Sequence, residues 1–240
     1  METYQDFLAR IGSFETSELN ISEKEFAGNA SIAQKVKPDN SFGDFFGDTI
    51  VFNLDEETKV RLRKWENKLY EVVPQCFCER LHSDTFHMTL HDLSNSKQLT
   101  EVAADVFVNE LKLREKCKEI KEFNSIKMRS KCLFNMVDTS LVLGLYPADE
   151  EEYEKLMDLY QVFESVKQLD YPLTPHITLA YYNVNGFDAQ SAEKLKQLIY
   201  ELNTCELLQP LEVELDSTKL YYQKFFSMND YIDVFGICGR

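Results

Sequence analysis

The stretch Phe86-His87-Met88-Thr89-Leu90 is matched in the second half of the chain by Pro175-His176-Ile177-Thr178-Leu179, so two of only four histidines stand in one frame, His-x-Thr-Leu. On a β-strand, side chains two residues apart point the same way. His87 and Thr89 therefore share a face, as do His176 and Thr178, while Met88, Leu90, Ile177 and Leu179 turn to an apolar layer behind. A single copy reads as a strand histidine satisfied by a hydrogen bond. Two copies ask for a repeat.

The flanking sequence supplies one. Thr49 to Leu54 is β-branched and apolar, and Asp55 opens a helix with Leu62, Trp65, Leu69 and Val72 on one stripe. After the first motif, Thr100 caps a helix expected to reach about Glu122, with Val106, Leu113, Cys117 and Ile120 on one side, and Ser125 to Met136 alternates like a strand. The same order returns: a strand from Thr139 (SLVLGLY), a helix from Asp149 with Leu156, Leu159, Tyr160, Phe163 and Val166, the second motif, a helix over Ala189 to Asn203, and a strand from Leu211. The expected architecture is a pseudo-twofold α+β domain over residues 49–240, with antiparallel sheets lining a central cleft and helices outside. Lobe one is about 49–136 and lobe two about 139–226; a C-terminal hairpin follows, turning at Ser227-Met228-Asn229-Asp230. Residues 1–48 form an extension that packs on the domain, with a short amphipathic helix (Tyr4, Phe7, Leu8, Ile11) and an aromatic loop, Ser41 to Gly47.

Composition narrows the function. At 240 residues and 44% hydrophobic, the chain can bury a full core. Its 26 Lys and Arg against 41 Asp and Glu, a net charge of −15, argue against a protein that coats long nucleic acid or an anionic membrane. A small anionic ligand in a local pocket remains compatible with that charge. The N-terminus lacks the basic start and apolar run of a signal peptide, and no segment approaches 18 consecutive apolar residues, so the expectation is a cytoplasmic chain, with a monomer favoured. The six cysteines form no CxxC pair and read as buried free thiols.

If the lobes pack about a pseudo-twofold axis, two imidazoles and two hydroxyls converge. That set suits displacement at phosphorus: one neutral histidine takes a proton from water, a protonated one gives a proton to the leaving oxygen, and the threonines donate to the non-bridging oxygens. On these paired motifs, across residues 49–226, the chain resembles the 2H phosphoesterase superfamily, which includes LigT-like enzymes and RNA 2′,3′-cyclic phosphodiesterases. The resemblance implies a two-lobed fold, phosphodiester chemistry with no metal or other cofactor, and catalytic roles for His87, Thr89, His176 and Thr178. It also implies His87 as acid and His176 as base.

Further candidates are weaker. His91 continues the parity of His87 and Thr89 and reads as a rim histidine able to touch substrate, while Asp92 faces away. A His87–His91 metal pair lacks supporting ligands. Lys127, Arg129 and Lys131 alternate on one strand, with Lys219 in the comparable place of the second lobe; a solvated face is the commoner meaning, phosphate binding the functional one. Tyr182 shares the parity of His176 and Thr178, and is preferred over Tyr181 for stacking a base. The expected partner is a small nucleotide or short oligonucleotide: a 2′,3′-cyclic phosphate end, or a short cyclic or 2′-5′ oligonucleotide. The competing reading is a protein of the same fold that sequesters such a ligand without turning it over.

Overall fold

The apolar run at Thr49 to Leu54 becomes a central strand. In the computed structural model, which describes residues 2–14, 25–118, 120 and 123–238, the strands are β1 (Glu25–Phe26), β2 (Phe46–Asn53), β3 (His87–Ser96), β4 (Ile126–Met136), β5 (Ser140–Pro147), β6 (His176–Tyr181), β7 (Phe187–Asp188), β8 (Glu212–Leu215), β9 (Leu220–Ser227) and β10 (Asp230–Gly236). The helices are α1 (Tyr4–Ser13), α2 (Glu56–Val72), α3 (Leu99–Lys116), α4 (Glu150–Glu164) and α5 (Ala189–Glu201). Aspartates start three of them: Asp55, Asp149 and Asp188 accept from the N–H of Thr58, Glu152 and Ser191, groups with no partner inside the helix.

Two four-stranded antiparallel sheets carry the molecule, in the orders β10-β9-β2-β3 and β6-β5-β4-β8, beside a small β1-β7 ribbon. The motif strands β3 and β6 are the facing edges of the two sheets and lie against each other. α3 covers the first sheet and α4 the second. The five apolar residues expected on α4 (Leu156, Leu159, Tyr160, Phe163 and Val166) are all buried. Each such side chain contributes about 1.5–3 kcal/mol when fully buried. A buried carboxylate adds a polar tie: Asp48 on β2 accepts from Ser94 N (2.9 Å), Asn109 Nδ2 (3.1 Å) and Tyr222 Oη (3.0 Å), which joins β2, β3, α3 and β9.

The lobes are not the two sequence halves. β4, expected to close lobe one, pairs with β5 and β8 in the second sheet, and β9, expected in lobe two, pairs with β2 in the first. For β4 the cause is the connection at the supposed boundary. Val137 (φ 44°) and Asp138 (φ 58°) are both left-handed and Thr139 N donates to Met136 O, which makes a tight hairpin turn with Met136 opposite Ser140. Strands joined that tightly can only be antiparallel neighbours.

Smaller differences follow local packing. α3 begins after Gln98 rather than Thr100 and ends at Lys116, and it buries Val102, Asn109 and Leu113; Glu122 lies outside the described residues. Val72 is exposed and Val73, just past the end of α2, is buried instead. Cys76, Cys78 and Cys238 are buried as expected, whereas Cys205 is exposed.

The extension is built into the domain. α1 buries Phe7 and Ile11, with Phe7 5.0 Å from the Tyr153 ring of α4. Further on, a 3₁₀ turn at Ala30–Gln34 leads into Phe42 and Phe45, both buried, before β2 begins at Phe46.

Candidate functional site

Each motif histidine opens its strand and is oriented by the carbonyl two residues before it. His176 Nδ1 donates to Thr174 O at 2.7 Å, which leaves Nε2 as the free ring nitrogen. The Thr85 carbonyl is the backbone hydrogen-bond partner of His87. With Thr89 and Thr178, both histidines line one cavity of about 450 Å³ between the sheets. The tertiary structure thus brings together the four residues that the strand parity singled out.

Burial pushes the His87 imidazole down to about 4; His176 beside it lowers it further, while the Thr85 carbonyl and the Asp92 and Asp233 carboxylates oppose. Burial also lowers His176, with Lys35 adding to the effect and the Thr174 carbonyl and Asp92 opposing it. Both shifts favour the neutral imidazole in the unliganded protein.

Beyond the motifs, the parity rule fails twice, for the same reason. The β2–β3 register passes from Val51 opposite Thr89 to Ile50 opposite His91, a bulge at Leu90. The β5–β6 register passes from Val142 opposite Thr178 to Leu141 opposite Ala180, a bulge at Leu179. One extra residue reverses which side chains face the cavity.

His91 is consequently buried and outside the cavity wall, its Nδ1 2.7 Å from Asp92 O and its Nε2 3.0 Å from Glu164 Oε1 on α4. Asp92 faces the cavity instead and accepts from Tyr171 Oη at 2.9 Å. Tyr182 is likewise wholly buried among Phe26, Phe77 and Phe187, and its neighbour Tyr181 takes the place in the wall.

The basic candidates stay apart. Lys131 lies on the outward side of β4, 5.7 Å from the Tyr146 ring. Lys219 sits within electrostatic reach of Asp55 and Asp216. Neither reaches the cavity, because β4 presents its alternating lysines away from it and Lys219 ends a 3₁₀ turn beside the α2 cap.

The cation that does line the cavity is Lys35, from the extension. Tyr231, whose ring lies 5.1 Å from that of His87, completes an aromatic wall with Phe45, Tyr160, Tyr171, Tyr181 and Phe225. Asp92 and Tyr181 had one signal in the sequence, their equal offset from the two histidines; Lys35 had none. Among the described residues no group of three or more His, Cys, Asp or Glu is placed to hold a metal ion, and no helix is long and apolar enough to cross a membrane.

No family model matches the chain, and no curated protein matches it in sequence. Solved structures do match in shape. ATU0111 from Agrobacterium tumefaciens, a conserved protein of unknown function, superposes with a TM-score of 0.66 at 14% identity, over 92% of this chain and 96% of that one. LigT from E. coli, crystallised with 3′-AMP, superposes with a TM-score of 0.51 at 14% identity, over 80% of this chain and 96% of LigT. The chain has the two-lobed α+β fold of LigT-like proteins.

Proposed function

We propose that this protein is a phosphodiesterase for small nucleotides, working by two-histidine acid/base catalysis. The observation that carries the reading is the matched pair: two imidazoles, each held by the carbonyl two residues before it, facing one cavity together with two threonine hydroxyls. A volume of about 450 Å³ suits a mononucleotide or the reactive end of a short oligonucleotide. LigT was crystallised with 3′-AMP, a ligand of that size.

The proton supply follows from the electrostatics. An anionic phosphate entering the cavity favours the charged form of an imidazole, and the mutual repulsion of the pair limits it to one proton. The protonated ring then gives that proton to the leaving ribose oxygen while the neutral ring takes one from the attacking water. Thr89 and Thr178 donate to the non-bridging oxygens as charge grows on them. No step calls on a metal ion.

The test is turnover by purified protein of 2′,3′-cyclic nucleotides, short 2′-5′ oligonucleotides and cyclic dinucleotides, with products read by mass. Opening of a phosphodiester by the wild type and its loss in His176→Ala supports the reading. Tight binding of all three classes with no product overturns it in favour of sequestration.

A further inference from the structure

We propose that the N-terminal extension is part of the substrate site and that Lys35 binds a phosphate oxygen of the nucleotide there. The inference rests on the reading of the cavity as a nucleotide site and adds a residue from outside the repeated lobes.

The segment around Lys35 is fixed on the domain. Asn29 caps the 3₁₀ turn through Ser31 N (3.0 Å), and Asn29 N donates to Asp138 O in the β4–β5 turn (2.9 Å). Val36 pairs with Phe42, and Gly43 N closes the loop on Lys35 O at 2.8 Å. Phe42 N and Asn40 O bond to Glu79, and Phe45 N to Phe226 O. The loop is thus tied to both sheets and to the strand-linking segment before β3. This is more anchoring than a peripheral tail requires.

The side chain it presents is short of partners. The Lys35 ammonium lies 5.5 Å from the Phe45 ring centroid, 5.0 Å from that of Tyr181 and 3.5 Å from Tyr181 Oη, and among the described residues it makes no ion pair. An ammonium carries three donors, and aromatic faces satisfy its charge only in part. Among the described residues of the cavity wall Lys35 is the one Lys or Arg, and Asp92, the one carboxylate, is engaged by Tyr171. An anion is the ligand that completes this arrangement. A chain of net charge −15 that binds a phosphate needs such a local cation, and the strand lysines do not supply it.

Two phosphates could meet Lys35, the reacting one or a second one on the same nucleotide. The experiment compares wild type, Lys35→Met and Lys35→Arg. Met keeps an unbranched stem over Phe45 and Tyr181, and thermal unfolding of each variant monitors the fold. Calorimetry with adenosine, 3′-AMP and adenosine 3′,5′-bisphosphate reads binding without turnover, so it stands whether or not the protein is an enzyme.

Lys35→Met should weaken 3′-AMP about tenfold or more, as expected for a lost charge-assisted contact, leave adenosine unchanged, and be largely rescued by Arg. A loss confined to the bisphosphate assigns the second phosphate and equally supports the proposal. Unchanged affinity for both phosphorylated ligands, or an equal loss for adenosine, overturns it. Absence of turnover by the wild type, with the Lys35 effect on binding intact, would sink the phosphodiesterase reading alone.

Discussion

Asp92 and Tyr181 stand at equivalent places: each is the fifth residue after a motif histidine, and each is turned into the cavity by a bulge at the motif leucine. The two lobes therefore share a local backbone irregularity as well as a motif. One lobe uses the position for a carboxylate, the other for an aromatic ring, so the cleft is symmetric in its histidines and threonines and asymmetric beyond them.

Removing either imidazole should nearly abolish turnover, since a general acid or base supplies about 10²–10⁴ of rate. Thr89→Ala and Thr178→Ala should cost less, about 2.7–4 kcal/mol at most if each donates to the charge of the transition state. Steady-state kinetics on the substrate found by the screen measures both. A His87→Ala or His176→Ala enzyme with the wild-type kcat would end the two-histidine mechanism.

The pH profile of kcat/KM should be bell-shaped, with both limbs on the acid side of 6.5. It reports the free protein, where burial holds His87 near 4 and lowers His176. The Asp92 carboxylate raises both imidazoles, so Asp92→Asn should move both limbs to lower pH. An optimum above pH 8 for kcat/KM, or limbs indifferent to Asp92→Asn, would contradict these electrostatics.

The same shift predicts a stability slope. Between about pH 6.5 and about 4 the unfolded chain binds a proton at His87 that the folded chain refuses, so stability falls as the pH falls through that window. His87→Gln should flatten the slope while leaving the contributions of other groups in place. Denaturant titrations at half-unit steps would show the difference between the two proteins.

Adjacent tyrosines should behave differently. Tyr181→Ala should raise KM or Kd, with stacking on a base worth about 1–3 kcal/mol, in addition to the destabilisation expected of a ring that is itself largely buried. Tyr182→Ala should destabilise by about 3–5 kcal/mol through the cavity it opens. Tyr182→Phe should be neutral or stabilising, because the buried Tyr182 Oη has no hydrogen-bond partner among the described residues. The reverse pattern would mean that the strand does not bulge at Leu179.

Chelators should leave turnover unchanged, and salt should affect it weakly. A single-stranded ligand held along a surface loses affinity with a log–log slope of about −0.7 per phosphate contact. Lys35 alone in the cavity allows few contacts, so kcat/KM for di-, tetra- and decanucleotides with the same reactive end should share one shallow slope. A slope that steepens with length would reveal a basic track, and activity lost to EDTA and restored by a divalent ion would call for a different chemistry.

The sequence alone determined the elements and the paired motif residues, because both follow from local periodicity. Period-two alternation places His87 with Thr89 and His176 with Thr178, the aspartate caps start helices at Asp55 and Asp149, and the repeat implies that the two motifs meet. What surrounds them depended on long-range pairing. Membership of β4 in the second sheet follows from the left-handed turn at Val137-Asp138, a conformation that a valine does not announce, and that of β9 in the first from its long-range pairing with β2. The exchange of His91 for Asp92 and of Tyr182 for Tyr181 follows from bulges, which appear only when one strand is laid against its neighbour. Lys35 reaches the cavity because its loop is pinned by Asp138, Glu79 and Phe226, residues far away in the chain, and no local pattern encodes an approach of that kind.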